Sequence, residues 1–241
     1  MRDTIRNSFV DLIVDNLVAS WPTEFTAAEY GTATVHEAMG RVELAGPQFR
    51  PIQDGARVAG NAVTVLSWPS DNLMIHAAIE QVRAGDILVV TCNSPSSDGM
   101  FGELFATALT HRGVHALVTE AGVRDVSDLR ELGFAVWSTA VSAQGTVKAT
   151  PGAVNIPITL GNVAVSPGDV VVADDDGVVV VCQRDVDATL AACAARMDKE
   201  AKSRAAFQNG QLGLDRYNLR PLLDSLGVRY VTQADYLARG R

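Results

Sequence analysis

The chain has 241 residues, 47% of them hydrophobic and 20% charged, with 28 acidic against 20 basic side chains for a formal charge of −8. That is enough apolar material for one substantial core with an attached segment, and the acidic balance argues against nonspecific nucleic-acid binding. The start, Met1-Arg2-Asp3-Thr4-Ile5-Arg6, leads into no apolar signal region and no run approaches membrane-span length. Cys92, Cys182 and Cys193 are unclustered, with neither disulfide nor zinc spacing, so the expected setting is a reducing cytoplasm without a membrane partner.

In chain order, residues 8–19 read as an amphipathic helix with Phe9, Leu12, Ile13 and Leu17 available for packing. Residues 32–39 read as a short helix that Gly40 stops. Residues 58–67 are strand-like, and 72–82 helical, with Leu73, His76, Ala77 and Glu80 on adjoining faces. Residues 85–92 form a short apolar, β-branched run opened by a turn signal, the mark of a buried strand. A loop follows over 93–99, then a helix over 101–111 with Leu104, Phe105, Ala108 and Leu109 on one face, closed by Arg112-Gly113. A strand at 115–118 then runs into a small-residue loop that delivers Arg124 and Asp125, and a helix covers 126–132.

From 135 to 181 the pattern is short strands and turns, at 135–138, 145–148, 155–158, 163–165, 169–172 and 177–181. Asp174-Asp175-Asp176-Gly177 lies between two β-branched runs and reads as a hairpin turn rather than a calcium loop. Residues 184–209 form a long charged helix ended by Gly210, of a kind that packs on a neighbouring subunit. The β-rich stretch beside a βαβ unit indicates α/β architecture, a layered α/β/β swivelling-type domain over 1–183 with a helical extension over 184–241.

The chemistry concentrates at Arg124-Asp125. Twenty residues separate Glu103 from Arg124, at either end of a helix–strand crossover. A right-handed βαβ unit puts both post-strand loops at the carboxyl end of the sheet, where open α/β sheets bind ligands. A guanidinium that grips a carboxylate and an acid that grips a divalent metal would share one mouth, which suits a 2-oxo acid and its enolate. First-turn amides around Gly102 to Phe105 offer further donors to an anion. The plainer alternative is that Asp125 and Ser127 cap the following helix and Arg124 forms a surface pair.

Elsewhere the signals are weaker. His36-Glu37 begins like a zinc-protease motif, but Gly40 stands where the second histidine belongs. His76 suits a packing role, although Asn72 one turn earlier makes a polar pair. Glu200 sits in a charged helical run that reads as a solvated face. A Schiff-base enzyme needs a desolvated lysine, and of Lys148, Lys199 and Lys202 only Lys148 lies within the core pattern.

These residues carry a resemblance. Thr34-Val35-His36-Glu37-Ala38, Gly60-Asn61-Ala62-Val63-Thr64-Val65, Asp71-Asn72-Leu73-Met74-Ile75-His76 and Ser97-Asp98-Gly99-Met100-Phe101-Gly102 are similar to stretches of the 4-hydroxy-4-methyl-2-oxoglutarate / 4-carboxy-4-hydroxy-2-oxoadipate aldolases, in the family related to the regulator of ribonuclease activity A. Gly122-Val123-Arg124-Asp125 is shared across that family. Ser142-Ala143-Gln144-Gly145-Thr146-Val147-Lys148 and Gly213-Leu214-Asp215-Arg216-Tyr217 are more specific to the aldolase branch.

The resemblance implies a class II pyruvate aldolase of aromatic degradation, using Mg²⁺ or Mn²⁺, that acts on a small anionic 2-oxo acid and also decarboxylates oxaloacetate. Asp125 would be the direct metal ligand, with Glu103 and Glu200 acting through water and Glu200 entering from a neighbouring subunit of a homotrimer or homohexamer. Arg124 would bind the substrate and stabilise the enolate, and the backbone at Gly102, Glu103 and Leu104 would hold its carboxylate. Asn72, His76 and Glu37 would line the distal pocket, where the second product's carboxylates and a proton donor sit. One departure stands out: those aldolases carry Asp where this chain has Glu103. The rivals are a catalytically silent ribonuclease-regulator-like binding protein, a Schiff-base lyase using Lys148, and a dedicated oxaloacetate decarboxylase.

Overall fold

A computed structural model describes residues 12–15 and 27–238. The chain divides into two compact units, Met1–Ala194 and Ala195–Arg241. The first contains β1 (Leu12–Ile13), α1 (Ala27–Tyr30), α2 (Thr32–Ala38), β2 (Arg50–Pro51), β3 (Val58–Ser67), α3 (Leu73–Ala78), β4 (Ile87–Cys92), β5 (Gly99–Phe101), α4 (Glu103–His111) and β6 (Ala116–Val123). It continues through α5 (Val126–Leu132), β7 (Ala135–Val141), β8 (Ala153–Val154), β9 (Ile158–Leu160), β10 (Val163–Val165), β11 (Val170–Asp174) and β12 (Gly177–Val181) to the start of α6 (Val186–Gln208). The second unit holds the rest of α6 and the short helices α7 (Gly213–Arg216), α8 (Arg220–Ser225) and α9 (Gln233–Ala238). Among the described residues no helix is long and apolar enough to cross a membrane.

The fold is mixed α/β around a central sheet. Strands β3, β4, β6 and β7 lie side by side in that order and run parallel. The ten residues of β3 do double duty: Val58–Asn61 pair antiparallel with β11, while Ala62–Ser67 run beside β4. Because side chains alternate along a strand, each strand feeds two cores. Leu88 and Val90 of β4 join a cluster with α3, α4 and α5, whereas Ile87 and Val89 face Leu160, Val165, Val171 and Val178. The β11–β12 hairpin repeats the device, turning Val170, Val172, Val179 and Val181 onto Ala27 and Val35 of α1 and α2 and Val186 of α6. The expected α/β/β layering is therefore present, with a further helical layer beyond the hairpin.

Several boundaries coincide with the sequence reading: β3, α5 and β12 span the residues expected, and α2 stops at Ala38, with Met39 as its cap and Gly40 (φ 81°) just beyond. The acidic triplet forms the hairpin turn, with Asp174 paired to Gly177. Other elements differ. Within the expected helix 8–19, Leu12–Ile13 form a strand parallel to β8 and residues 14–15 follow it without helix, while 8–11 and 16–19 lie outside the described residues. Helix 72–82 is cut to Leu73–Ala78. Phe101 belongs to a three-residue strand beside β6, not to α4. Residues 145–148 form no strand, making only the isolated bridge Asp71↔Val147. The long helix begins at Val186, after a 3₁₀ turn over Gln183–Asp185.

The loop expected over 119–123 is the continuation of β6. Its Ala121 and Gly122 suggest a loop, but the pairing with β7 only shifts register between Thr119 and Gly122. Thr119 Oγ1 accepts from Ala121 N at 3.0 Å, and Thr139 Oγ1 donates to the Glu120 carbonyl at 2.6 Å, so the irregularity is held by side chains. Such a bulge re-aims the strand end, which here carries Arg124 and Asp125 out of the sheet.

Candidate active site

Two segments meet at the carboxyl end of β6. Gly99 and Phe101 of β5 pair with Gly122 and Val123, and a Cβ at Gly122 would collide with the Ser97 carbonyl, so glycine permits the approach. Gly102 is equally confined: an added Cβ would overlap Asp125 Oδ2 and stand 3.1 Å from Arg124 Cγ. Its backbone is extended, so the requirement is for space, not for an unusual φ. Asp125 occupies the N-cap position of α5 with φ 55° and ψ 39°, yet its side chain makes no capping bond. Instead Oδ2 accepts from Glu103 N at 3.2 Å, at the start of α4, and lies 3.7 Å from Arg124 Nε. The capping alternative therefore fails for Asp125, whose carboxylate belongs to the neighbouring helix terminus.

Across from this pair stands a second wall. α3 supplies His76 and is preceded by Asn72; the loop 145–150 supplies Lys148. One buried carboxylate joins them. Asp71 Oδ1 accepts from Leu73 N at 2.9 Å, and Oδ2 from Ala149 N at 2.9 Å and Thr150 N at 2.7 Å. Burial pushes the Asp71 carboxyl up, but the three backbone donors outweigh it and hold the group below its ordinary range. The His76 ring lies 4.4 Å from that of Phe105. Its imidazole is held below the usual histidine range by burial first and by the Lys148 ammonium second.

Between the walls is a cleft of about 280 Å³ whose polar lining is Asn72, His76, Arg124, Asp125 and Lys148 and whose floor includes Met100, Ile79 and Phe105. A sequence model of the RraA-like family, described as Aldolase/RraA, matches residues 32–180, more than half of the chain. The chain belongs to the RraA-like family. Among its relatives, a Halalkalibacterium halodurans protein provisionally named 4-hydroxy-4-methyl-2-oxoglutarate aldolase is 25% identical over 179 residues, 74% of this chain and 85% of the relative. A Burkholderia multivorans protein with the same provisional name is 32% identical over 143 residues, 59% of this chain and 87% of that one. The crystal structure of Streptomyces coelicolor RraAS2, described as an unusual member of the RNase ES inhibitor RraA protein family, matches with a TM-score of 0.70 at 26% identity. That match covers 78% of this chain and 98% of RraAS2.

For this RraA-like chain the cleft unites Arg124, Asp125, Gly102, Leu104, Asn72 and His76 from the sequence expectation. Lys148 joins them as a cation rather than as a nucleophile singled out by burial; it is exposed. Nothing local marks its position, which follows from the Asp71 contacts. Leu104 departs from the expected buried face: it is 80% exposed, while Phe105, Ala106 and Leu109 face the core. Glu103 contributes its amide to Asp125, but its carboxylate accepts from Thr107 Oγ1 at 2.6 Å and does not line the cleft. Glu37 does not line it either, because α2 packs on β11 and β12, across the sheets from α3 and α4; Glu37 pairs with Arg41 at 3.0 Å. Glu200 lies in the second unit, 2.9 Å from Arg196, beside a shallow hollow with Phe207 and Tyr217.

The donor set can be tested against a metal. Among the described residues no three histidines, cysteines or acids gather into a cage, which excludes a closed zinc-type site there. A single half-exposed carboxylate, with only Oδ2 engaged by the Glu103 amide and Arg124, fits a hard cation that retains most of its water, as Mg²⁺ does. Cys92 does not line the cleft, and burial, then the Glu120 charge, pushes its thiol up to about 12.

Proposed function

We propose that this chain is a divalent-metal-dependent pyruvate aldolase. It cleaves 4-carboxy-4-hydroxy-2-oxoadipate to pyruvate and oxaloacetate, or 4-hydroxy-4-methyl-2-oxoglutarate to two pyruvates, and decarboxylates oxaloacetate through the same enolate. The observation that carries this reading is the Arg124–Asp125 pair in the cleft, packed against Gly102 with one carboxylate oxygen of Asp125 left unengaged. The provisional names of the two relatives agree with it.

Asp125 would hold Mg²⁺ or Mn²⁺. Bound there, the ion supplies Lewis-acid polarisation of the substrate's 2-oxo and carboxylate oxygens. Arg124, whose side chain is 44% exposed, offers two-pronged donation to an oxo acid and stabilises the oxygen on which enolate charge develops. The first-turn amides of Leu104 and Phe105 precede the first main-chain bond of α4, Ala106 N to Gly102 O at 3.2 Å, and remain to receive the pyruvyl carboxylate. In the cleavage the substrate's C4 hydroxyl loses its proton, a C4 carbonyl forms as the C3–C4 bond breaks, and the electron pair passes into pyruvate enolate. Protonation of the enolate at C3 completes the reaction. On the opposite wall His76, rather than the exposed Lys148, is suited to take the hydroxyl proton, because its imidazole is neutral at pH 7. Glu200 of a neighbouring copy would complete the site within a homotrimer or homohexamer, ordering water around the ion.

The test is pyruvate release from 4-carboxy-4-hydroxy-2-oxoadipate with Mg²⁺, with excess chelator, and in Asp125→Asn, a replacement that tolerates the left-handed backbone. Chelator should abolish turnover, and Asp125→Asn should lower it by at least about 100-fold, the upper effect of removing a mere supporting group around a metal. Absence of turnover with every divalent metal would set the aldolase reading aside. It would leave a binding role like that of the RNase ES inhibitor family to which Streptomyces coelicolor RraAS2 belongs.

A further inference from the structure

We infer that Asn72 reads the hydroxyl group of the substrate, and that this contact separates aldol cleavage from oxaloacetate decarboxylation. The inference rests on the aldolase reading above. Asn72 is 5% exposed and lines the cleft. Its main chain is committed in both directions: the N–H donates to the Val147 carbonyl at 3.0 Å, and the carbonyl accepts from Ile75 N at 3.2 Å and His76 N at 3.4 Å. Its side-chain Nδ2 donates to the Met100 carbonyl at 3.2 Å. That bond fixes which end of the amide is which, because the oxygen end would face another acceptor if the group were flipped. Oδ1 is left buried without a partner. Among the described residues it is the only such stranded side-chain oxygen that belongs to a cleft-lining residue.

A buried acceptor with no donor is destabilising until something supplies one. The chemistry of the ligand limits what can. Carboxylates and a 2-oxo group carry lone pairs only, so at neutral pH the hydroxyl is the single hydrogen-bond donor of a 4-hydroxy-2-oxo acid. The keto form of oxaloacetate has none. Oδ1 is shut off from solvent in the ligand-free chain, so the pairing requires the amide to tilt toward the cleft; the terminal torsion of asparagine is broad enough for this at little cost. Asn72 also stands one helical turn before His76 on the same wall. A hydroxyl that donates to Oδ1 in the bound state lies on the His76 side of the cleft, and its one proton leaves that bond for the imidazole as the C3–C4 bond breaks.

Two measurements on the full chain test this, using Asn72→Leu, which keeps the volume and removes the acceptor. The first compares kcat/KM for 4-carboxy-4-hydroxy-2-oxoadipate and for oxaloacetate on the same Mg²⁺-loaded preparation. The variant should lose roughly 10–100-fold on the hydroxylated substrate and markedly less on oxaloacetate, so that the ratio of the two kcat/KM values falls by about tenfold or more. Retained decarboxylation also shows that the variant is folded. The second measures calorimetric binding of 2-hydroxy-2-methylbutanedioate and 2-methylbutanedioate, which differ only in the hydroxyl and cannot be cleaved. Wild type should prefer the hydroxylated ligand, and Asn72→Leu should bind both alike. Equal loss of both activities, or a preference for the hydroxyl that survives in the variant, would overturn the inference. A wild type inactive on both substrates counts against the aldolase reading instead, and the binding pair still decides the contact.

Discussion

On one side of the cleft, Arg124 and Asp125 stand on a turn shaped by close approach: a bulged β6, glycines 99, 102 and 122, and a carboxylate resting on the first amide of α4. On the other, Asn72, His76 and Lys148 stand on a short helix and an irregular loop tied together by the buried carboxylate of Asp71. The first wall is defined by side chains that are missing, the second by one charge that is present. Steric definition does not change with pH, whereas a charge does. The two walls should accordingly fail in different ways.

Gly102→Ala gives the largest effect. The new methyl group has no room beside Asp125 Oδ2, and a displacement of about 1 Å at a reacting group costs about 100-fold in rate. Steady-state turnover should fall by that order while thermal unfolding moves little; unchanged turnover would mean that the close approach does not set the geometry of Asp125. Asp71→Asn attacks the other wall, removing a charged acceptor from three backbone amides, and should lower stability by about 1.5–3 kcal/mol in urea unfolding at pH 7. The sign with pH follows from its depressed folded-state pKa: the contribution is complete above the unfolded value of about 3.9 and is lost as pH falls through the folded one. Wild type and variant should therefore converge in acid, and a gap that persists there would show that the charge is not what ties the wall.

The smallest effect sharpens the comparison within the second wall. Lys148→Met removes the cation that, after burial, lowers the His76 pKa. The imidazole should then titrate closer to the ordinary value of about 6.5, as followed by its carbon-bound proton resonances. No movement would place the lysine too far from the ring to matter.

Legibility in the sequence divides along the same line. Apolar β-branched runs marked β3, β4 and β12, and strand–helix–strand topology sufficed to bring the Glu103 segment onto Arg124–Asp125, because parallel crossovers leave few alternatives. The second wall was harder to read. Asn72 and His76 could be paired by helical spacing, but Lys148 reaches the cleft through long-range contacts, the Val147 main-chain bonds to Ser70 and Asn72 and the Asp71 carboxylate that holds amides 78 and 79 residues away in sequence. The continuation of β6 through Glu120 was hidden by its small residues, since the Thr139 hydroxyl that helps to stabilise it acts from the neighbouring strand. Leu104 shows the limit of periodicity: the core-facing pattern of α4 runs through Phe105, Ala106 and Leu109, and the leucine that opens it points to the rim.

The left-handed backbone at Asp125 (φ 55°) also restricts how the chain can drift over generations. Outside glycine, asparagine and aspartate adopt that conformation most readily. On the proposed aldolase reading, a descendant that abandons the chemistry but keeps its fold is therefore expected to exchange Asp125 for Asn or Gly, whereas Glu or a β-branched residue would strain the turn before altering the charge. In this architecture the mark of lost catalysis should be a narrow, recognisable substitution rather than random decay.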